Sequence, residues 1–579
     1  MVMMHGKDYL YPGGLSDKPT CLRSDLFPIT LIYHRESPPL YGDAFFLILT
    51  SFRGTGAPQR AYAPLKPFEC VPAQIWRWIL VMSPSLFYPE GVYYVDIAMD
   101  NGYNEKKTRS IGASVENFQA TTGRQMKIQS INPYTEEVMK EFDLMTPDEI
   151  DAETSKSRRT FLKWRDFPVS KRAEHIKKLG DHLRAEKHRY ARIMSSEMGK
   201  PIREAVAEID KCALLCDYYA DNGERFLQPE EIRTEAKKSY VLFQPLGIVL
   251  AVMPWNFPFW QAFRFGIPAV TAGNVVVLKH ASNVPMCALT IEESFRNAGF
   301  HENIFKTFLI SARDALRLID EDRVDAVSLT GSNQAGEQIG ALAGKKIKKL
   351  VLELGGSDPF IVLDDADIEK AGRMAVNARM INTGQSCIAA KRIIVMEKVA
   401  GAFREAFLSR LRELKIGDPL DETTDIGPLA KREILESLNA QILDARTKGA
   451  EIFQLEHSFR KGFFFPPSVV FNPGRDMKIL SEEVFGPLVP VITVKDEDEA
   501  VSVANDTQYG LGAAIWSRDI ERAQRVAARI EAGSIAINDM VKSDPRLPFG
   551  GIKKSGIGRE LSHYGLKEFV NIKTIVVRE

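Results

Sequence analysis

Apolar residues recur at two different spacings after residue 126, and the spacing predicts which segments form helices and which form strands. Between Ser170 and Met198 they recur every three or four positions, which predicts an amphipathic helix, and a second helix is predicted after Pro201. The runs Asn274–Lys279 and Asp325–Thr330 are short and rich in β-branched residues, as buried parallel strands are. A helical pattern follows each run, so the alternation predicts a doubly wound α/β domain.

Further elements follow the same reasoning. Helices are predicted over Thr290–Ala298, behind the first of these strands, and over Ala371–Met380, which belongs to a second α/β region. Strands are predicted over Arg392–Met396 and, at the end of the chain, over Glu568–Val577. A pair of short strands is expected around the turn at Asn132 and Pro133.

Residues 1–125 show neither spacing and are rich in proline, glycine and aromatic residues. One interpretation is an accessory N-terminal segment. The other is that translation begins at Met126. We favour the second, because the segment lacks the agreement between local pattern and fold that selected sequences have.

Composition and charge narrow the classes of function. Basic and acidic residues number 76 each, so no nucleic-acid partner is expected, because nucleic-acid-binding proteins usually carry a basic excess. The apolar runs Ala44–Leu49 and Ile79–Met82 are far shorter than the roughly 20 residues of a membrane span. Since the start of the chain also lacks the apolar region of a secretory signal, no membrane association is expected.

The six cysteines are scattered and form no pair of CxxC elements, so neither a metal site nor a disulfide framework is predicted. Cys212 and Cys216 lie in a helical pattern and are expected to pack in the core. This usage is typical of a reducing compartment, and we expect a cytoplasmic protein.

Three short segments contain residues suited to catalysis. The segment GQSC places Cys387 on a small loop; a lone cysteine there is better explained as a core residue, but a thiolate nucleophile also needs such a polar, accessible loop. Glu353 opens ELGG after an apolar run, where burial raises the pKa of a carboxyl and suits it to act as a general base. Asn256, on the proline-flanked loop PWNFP, offers an amide to an oxyanion.

Together with three further motifs, these segments resemble the aldehyde dehydrogenase superfamily from about Met126 to Glu579. The six motifs stand in the family's order: PWNFP, LTGS at Leu329–Ser332, ELGG at Glu353–Gly356, GQSC at Gly384–Cys387, EEVFGP at Glu482–Pro487, and PFGGIKKSGIGRE at Pro548–Glu560. The wording LKHASNV, ELGGSDPFIVL and GRELSHYGLKEF is most similar to bacterial succinate-semialdehyde dehydrogenases. The periodicity by itself predicts only an α/β enzyme.

The resemblance implies a covalent mechanism. The Cys387 thiolate attacks the aldehyde, and the Asn256 amide with the Cys387 backbone N–H holds the oxyanion. Hydride transfer to NAD or NADP leaves a thioester, and Glu353 activates the water that hydrolyses it. Glu560 matches a second carboxylate that either relays protons or forms a structural ion pair.

The resemblance also implies the cofactor residues. Lys279 matches a lysine that holds the adenosine ribose, and Gly331 and Ser332 begin a helix whose N-terminus favours the pyrophosphate. Glu483 and Phe485 match the residues beside the nicotinamide and its ribose. Trp255 is expected to line the same groove.

Ser282 bears on the choice of cofactor. Strictly NAD-dependent members often carry a glutamate here, which binds the ribose 2′-hydroxyl and repels a 2′-phosphate. A serine removes that repulsion, so either cofactor is compatible with the sequence; the plainer interpretation is that Ser282 does not discriminate.

Two residues are candidates for the substrate. Arg264 lies eight residues after Asn256, where related enzymes bind the carboxylate of succinate semialdehyde, and a helix over Trp260–Ile267 would direct it to the substrate; the alternative is a subunit contact. Ser543 is a candidate hydroxyl donor. Some relatives carry a second arginine six residues before the cysteine, but here that position is Ile381, with Arg379 out of register, and Ala389 excludes a redox partner two residues after Cys387.

The resemblance implies an aldehyde dehydrogenase-like α/β fold. A Rossmann-type cofactor domain is assigned to 127–232 and 247–352, a catalytic α/β domain to 353–560, and a β oligomerisation element to 234–245 and 561–579. The resemblance implies a homodimer or homotetramer acting on a small aldehyde. Alternatives are a CoA-acylating enzyme, which tends to lack the base at Glu353, an enzyme for another aliphatic or amino aldehyde, and a non-catalytic scaffold, which usually loses the nucleophile.

Overall fold

The structure is a computed structural model that describes residues 127–456 and 458–579, so the expectations for residues 1–125 lie outside the described residues. The described helices are α1 (Pro147–Trp164), α2 (Val169–Met198), α3 (Ile202–Leu227), α4 (Pro258–Ala272), α5 (Pro285–Asn297), α6 (Ala312–Asp320), α7 (Asn333–Lys345), α8 (Ile368–Met380), α9 (Glu397–Arg412), α10 (Arg432–Thr447), α11 (Lys478–Ser481), α12 (Glu497–Asn505), α13 (Ile520–Ala527) and α14 (Ser562–Glu568), with a 3-10 turn at Ile381–Gly384.

The described strands form several sheets. They are β1 (Lys127–Ile131), β2 (Val138–Asp143), β3 (Glu230–Glu231), β4 (Lys238–Pro245), β5 (Ile248–Met253), β6 (Val275–His280), β7 (Phe305–Thr307), β8 (Ala326–Thr330), β9 (Lys349–Glu353), β10 (Pro359–Val362), β11 (Arg392–Met396), β12 (Glu451–Gln454), β13 (Ser468–Phe471), β14 (Leu488–Val494), β15 (Tyr509–Gly510), β16 (Gly512–Trp516), β17 (Ser534–Ile537), β18 (Ile552–Lys553), β19 (Gly556–Ile557) and β20 (Val570–Val577).

A six-stranded sheet in the order β19-β9-β8-β5-β6-β7 forms the first α/β region. Strands β5 to β9 are parallel, and only the short β19 runs antiparallel, against β9. Helices α1, α4, α5 and α7 pack against the sheet, which explains why β5, β6 and β8 are buried almost throughout. Because the strands are parallel, the carboxyl ends of β5, β6, β8 and β9 lie at one edge.

A seven-stranded sheet in the order β12-β13-β14-β11-β10-β16-β17 forms the second region. All neighbours pair in parallel except β12, which runs antiparallel to β13. Helices α8, α9, α12 and α13 contact its strands. The fold is therefore α/β with two largely parallel sheets, as predicted, and the chain passes from one sheet to the other directly after Glu353.

A separate three-stranded antiparallel sheet joins β20, β4 and β3. Its strands are mostly exposed, and Ile572, Val576 and Ile232 present apolar side chains that are at least half exposed. This is the sheet that the sequence assigns to oligomerisation.

The predicted elements match closely, with differences at their ends. Helix α2 and the strands around Asn274–Lys279 and Asp325–Thr330 are confirmed. Helix α5 begins five residues before the predicted Thr290, because Glu197 accepts hydrogen bonds from the first backbone N–H groups, those of Met286 at 2.7 Å and Cys287 at 2.8 Å. That cap comes from a distant helix, so the local sequence does not announce it.

Candidate active site

Four predicted residues lie at the carboxyl-terminal edge of the six-stranded sheet. Asn256 follows β5, and Lys279 is the second-last residue of β6. Gly331 follows β8, and Glu353 is the last residue of β9. The backbone N–H of Gly331 donates to the carbonyl of Glu353 at 3.0 Å, which ties the ends of β8 and β9 together. This edge is where open parallel sheets bind their ligands.

Glu353 belongs to a buried cluster with Arg264 and Glu560. The Arg264 Nε atom pairs with Glu560, and its Nη2 atom lies 3.8 Å from Glu353 Oε2. Burial raises the pKa of Glu353 well above its usual range and also raises the pKa of Glu560, although Arg264 opposes both shifts. A carboxyl with a raised pKa is suited to accept a proton from water near neutral pH.

Arg264 has partners that the sequence does not predict. It is buried on α4, burial by itself would lower its pKa, and Glu560 and Glu353 raise it instead. Its guanidinium also lies over the ring of Phe549, 4.5 Å from the centroid. A contact with the substrate stays a prediction, whereas the observed contacts are internal; the alternative of a subunit contact does not match the burial of this side chain.

Cys387 follows a loop of unusual backbone conformation. Asn382 and Thr383 adopt positive φ angles of 52° and 56°, which cost energy in residues other than glycine. Hydrogen bonds hold the loop: Asn382 Nδ2 donates to the Asn256 carbonyl at 2.7 Å, and Asn256 Nδ2 donates to the Gln385 carbonyl at 3.1 Å. The predicted oxyanion donor and the nucleophile loop are thus parts of one network.

Gly356 allows the base and the nucleophile to approach each other. A Cβ atom on Gly356 would lie 2.6 Å from the carbonyl oxygen of Cys387, which is closer than such atoms come in proteins. A larger residue would therefore push apart the loop after Glu353 and the loop that carries Cys387.

The Cys387 thiol is half-buried. Burial raises its pKa to about 11, while the positive charges of Lys391 and Arg264 lower it. Lys391 Nζ donates to the Cys387 carbonyl at 2.8 Å and to Glu483 Oε1 at 2.6 Å. The role of Lys391 was not predicted from the sequence. Its position four residues after Cys387 was the only sign that it lies near the nucleophile.

The residues predicted for the nicotinamide side lie together. Glu483 pairs with Lys391, and the rings of Phe485 and Trp255 meet edge to face with centroids 5.7 Å apart. Arg379, which is buried, donates to the carbonyls of Leu488, Val484 and Gly486 and so fixes the segment that carries Glu483 and Phe485. The guanidinium of Arg379 supports this loop.

The residues predicted for the rest of the cofactor fit a dinucleotide. A Cβ atom on Gly331 would meet no heavy atom of the described residues within 4 Å, so the backbone there is open to a ligand. The adjacent Ser332 caps α7 by accepting a hydrogen bond from the Ala335 N–H at 3.3 Å. Burial and the nearby charge of Lys431 lower the pKa of Lys279, which indicates a partly desolvated cation, and Ser282 is exposed three residues further on. A phosphate or ribose suits such a surface.

Ser543 is buried beside two donors. Its Oγ atom accepts hydrogen bonds from Lys211 Nζ at 2.7 Å and from Trp260 Nε1 at 3.1 Å. Trp260 lies one helical turn before Arg264 on α4, and Lys211 lies on α3. Lys211 was not predicted either, because in the sequence it occupies an ordinary polar position of an amphipathic helix.

The residues that the structure describes contain neither a membrane-spanning helix nor a metal-binding cluster. None of the helices in that part of the chain is long and apolar enough to cross a bilayer. In the same residues, no group of three or more His, Cys, Asp or Glu side chains is arranged to hold a metal ion.

Comparisons with known proteins identify the family of this chain. The profile described as "Aldehyde dehydrogenase family" matches residues 119–575. A protein of Synechocystis sp. described as probable succinate-semialdehyde dehydrogenase, NADP(+), is 47% identical over 451 residues, which cover 78% of this chain and 99% of that protein. Succinate-semialdehyde dehydrogenase 1, NADP(+), of Mycobacterium tuberculosis is 46% identical over 454 residues, with the same coverage.

Solved structures give the same result. Succinic semialdehyde dehydrogenase from Streptococcus pyogenes, solved with NADP+, superposes with a TM-score of 0.76 at 39% identity and covers 78% of this chain and 100% of its own. Two structures of betaine aldehyde dehydrogenase from Staphylococcus aureus, both solved with NAD+, superpose with a TM-score of 0.75 at 31% identity. Each covers 78% of this chain, and they are covered over 92% and 93% of their own lengths.

Proposed function

Because this chain belongs to the aldehyde dehydrogenase family, we propose that it oxidises succinate semialdehyde to succinate. Membership makes it an NAD(P)-dependent enzyme that converts an aldehyde to the carboxylic acid. The observation that carries the chemistry is the convergence of Cys387, Asn256 and Glu353 between the two parallel sheets.

The first step forms a covalent bond between Cys387 Sγ and the aldehyde carbon. As the carbonyl oxygen gains charge, it accepts hydrogen bonds from Asn256 and from the Cys387 backbone N–H. An amide nitrogen has two protons, and Asn256 Nδ2 uses one of them on the Gln385 carbonyl, so the second is free for the oxyanion. Lys391 and Arg264 favour the thiolate over the thiol.

When bound, NAD or NADP would supply the oxidation by accepting a hydride; Lys279, Gly331 and Ser332 would hold its adenosine half, and Trp255, Glu483 and Phe485 its nicotinamide half. The thioester on Cys387 is then hydrolysed. Glu353 takes a proton from the attacking water, and the cysteine leaves as a thiolate. Arg264 and Glu560 lie beside the base, where Arg264 lowers its pKa and Glu560 raises it.

The choice of substrate is supported by the relatives and by the donors near Ser543. Two relatives that share almost half of their residues with this chain are described as succinate-semialdehyde dehydrogenases that use NADP. On this chain the corresponding proposal places the carboxylate of the substrate toward Ser543 and Arg264. The serine at position 282 supports use of NADP as well as NAD.

The test compares two aldehydes of the same length. Reduced cofactor is measured with succinate semialdehyde and with butanal, each with NAD and with NADP, on the full chain. A preference for succinate semialdehyde of about 100-fold in kcat/KM is expected, because the neutral end of butanal can neither pair with a basic side chain nor accept a hydrogen bond from the Ser543 hydroxyl. Equal turnover of the two aldehydes would refute the substrate while leaving the dehydrogenase activity in place.

We propose further that the chain forms a homodimer or homotetramer in the cytoplasm. The half-exposed side chains of Ile572 and Val576 on β20 and of Ile232 just after β3 support pairing across subunits, because exposed strands with apolar side chains tend to be covered. Sedimentation analysis of the wild type and of Ile572→Lys measures this directly: the variant is expected to dissociate at concentrations where the wild type remains associated.

A further inference from the structure

Lys211 of α3 forms a small cluster with Trp260 of α4 and with Ser543. It is half-buried, its Nζ atom lies 4.1 Å from the centroid of the Trp260 ring, and it donates to Ser543. The positive charge of Arg264 lowers the pKa of Lys211, so the two cations lie close enough to interact. Since Trp260 and Arg264 are one turn apart on α4, Lys211 and Ser543 lie near the cluster of Arg264, Glu353 and Glu560.

The two neighbouring cations, Lys211 and Arg264, differ in their partners. Arg264 pairs with Glu560 and lies close to Glu353, so carboxylates already match its charge. Among the described residues, no carboxylate lies within ion-pair distance of Lys211. The nearest acids are engaged elsewhere: Glu208 pairs with Lys200 and accepts the N–H groups that begin α4, and Asp544 binds Arg546 at 2.6 Å.

A desolvated ammonium without a counter-ion is unstable unless an anion joins it. Burial lowers the pKa of Lys211 to about 8, and the positive charge of Arg264 lowers it further, while the negative charges of Glu208 and Asp544 oppose the shift. Among the described residues, Lys211 is thus a largely desolvated cation that no side-chain carboxylate pairs with.

We propose that Lys211, together with Ser543, binds the carboxylate of the substrate and so sets the preference for an ω-carboxy aldehyde. The Ser543 hydroxyl accepts from Lys211 and Trp260, which leaves its own proton to donate to a carboxylate oxygen. Lys211 supplies the charge and two further N–H donors. This inference rests on the proposed function, because it names the residue that recognises the proposed substrate.

The experiment measures kcat/KM for succinate semialdehyde and for butanal in the wild type, Lys211→Gln and Lys211→Arg. The glutamine keeps a donor for Ser543 and removes the charge, while the arginine keeps the charge. Lys187→Gln is the matched control. Lys187 is a partly exposed residue of α2 that pairs with Asp210, the residue before Lys211. All four proteins are assayed as full chains with NADP.

The expected result is a loss of about 10- to 100-fold with succinate semialdehyde in Lys211→Gln, mainly through KM, with butanal changed less than about threefold. Lys211→Arg is expected to recover most of the loss, and Lys187→Gln to match the wild type.

Three results would overturn the inference. If Lys211→Gln keeps the wild-type preference, Lys211 does not bind the carboxylate, while the proposed function stands. If Lys211→Gln loses both aldehydes equally and Lys211→Arg recovers neither, Lys211 only supports the fold. If the wild type itself shows no preference for succinate semialdehyde, both the substrate and this site are wrong.

Discussion

The two parallel sheets contribute to the site from opposite ends of their strands. In the six-stranded sheet, Asn256, Gly331 and Glu353 lie at carboxyl ends, after β5 and β8 and at the close of β9. In the seven-stranded sheet, Cys387 and Phe485 precede the amino ends of β11 and β14. The site thus lies between the carboxyl-terminal edge of one sheet, where parallel sheets usually bind ligands, and the amino-terminal edge of the other, where they usually do not.

The difference shows how each half is held. At the carboxyl ends, the ladder that joins β8 to β9 places the base almost without help from side chains. At the amino ends, the nucleophile needs a loop with two positive φ angles, a cross-link from Asn382 to Asn256, and Lys391. The first half follows from topology, and the second depends on particular side chains.

The largest expected effect separates the two halves. Glu353→Gln removes the base at the carboxyl ends and leaves the nucleophile in place, so acylation should continue while hydrolysis slows. Steady-state turnover should fall roughly 100- to 10,000-fold, with a burst of reduced cofactor equal to one per active subunit. Glu337→Gln, an exposed change on α7, should have no effect, and a Glu353→Gln enzyme without a burst would contradict the division of roles.

A second prediction concerns the cofactor end of the six-stranded sheet. Ser282→Glu adds a negative charge near Lys279, which should repel a 2′-phosphate. We expect kcat/KM to fall about 100-fold with NADP and to change less than about threefold with NAD. Ser282→Ala is the control for the loss of the hydroxyl, and an equal loss with both cofactors would mean that position 282 does not face the ribose.

A third prediction concerns the amino ends. Lys391→Met removes one of the two positive charges that lower the pKa of Cys387, which burial has raised to about 11. The thiolate fraction at a fixed pH should fall, and alkylation of Cys387 by iodoacetamide should slow about tenfold. Lys398→Met, an exposed change on α9, should leave the rate unchanged. An unchanged rate in Lys391→Met would limit Lys391 to holding the loop.

The smallest expected effect is a shift in pH dependence. After burial, the negative charge of Glu560 is a cause that raises the pKa of Glu353, whereas Arg264 lowers it. In Glu560→Gln the pKa of Glu353 should therefore fall, so the base is ionised at lower pH and the acid limb of the hydrolysis rate moves to lower pH. A limb that moves upward, measured by single-turnover hydrolysis of the acyl-enzyme, would contradict this sign.

The sequence predicts the first half of the site better than the second. Apolar runs place the strands, so the positions of Asn256 and Gly331 after β5 and β8 and of Glu353 at the end of β9 follow from the sequence, whereas the roles predicted for them come from the resemblance. Cys387 is found through its motif and the resemblance. Lys391 and Lys211 were missed because their partners, Glu483 and Ser543, come from distant segments. The pairing of Arg264 with Glu560 depends in the same way on contacts that only folding creates.

The most direct test of the central claim is to trap the intermediate. Glu353→Gln is incubated with succinate semialdehyde and NADP, digested, and examined by mass spectrometry. A covalent bond to Cys387 predicts the added mass of one succinyl group on the peptide that contains Cys387, with one reduced cofactor formed per modified subunit. An unmodified Cys387 peptide, or the same mass on the peptide of Cys212, Cys216 or Cys287, would contradict the account.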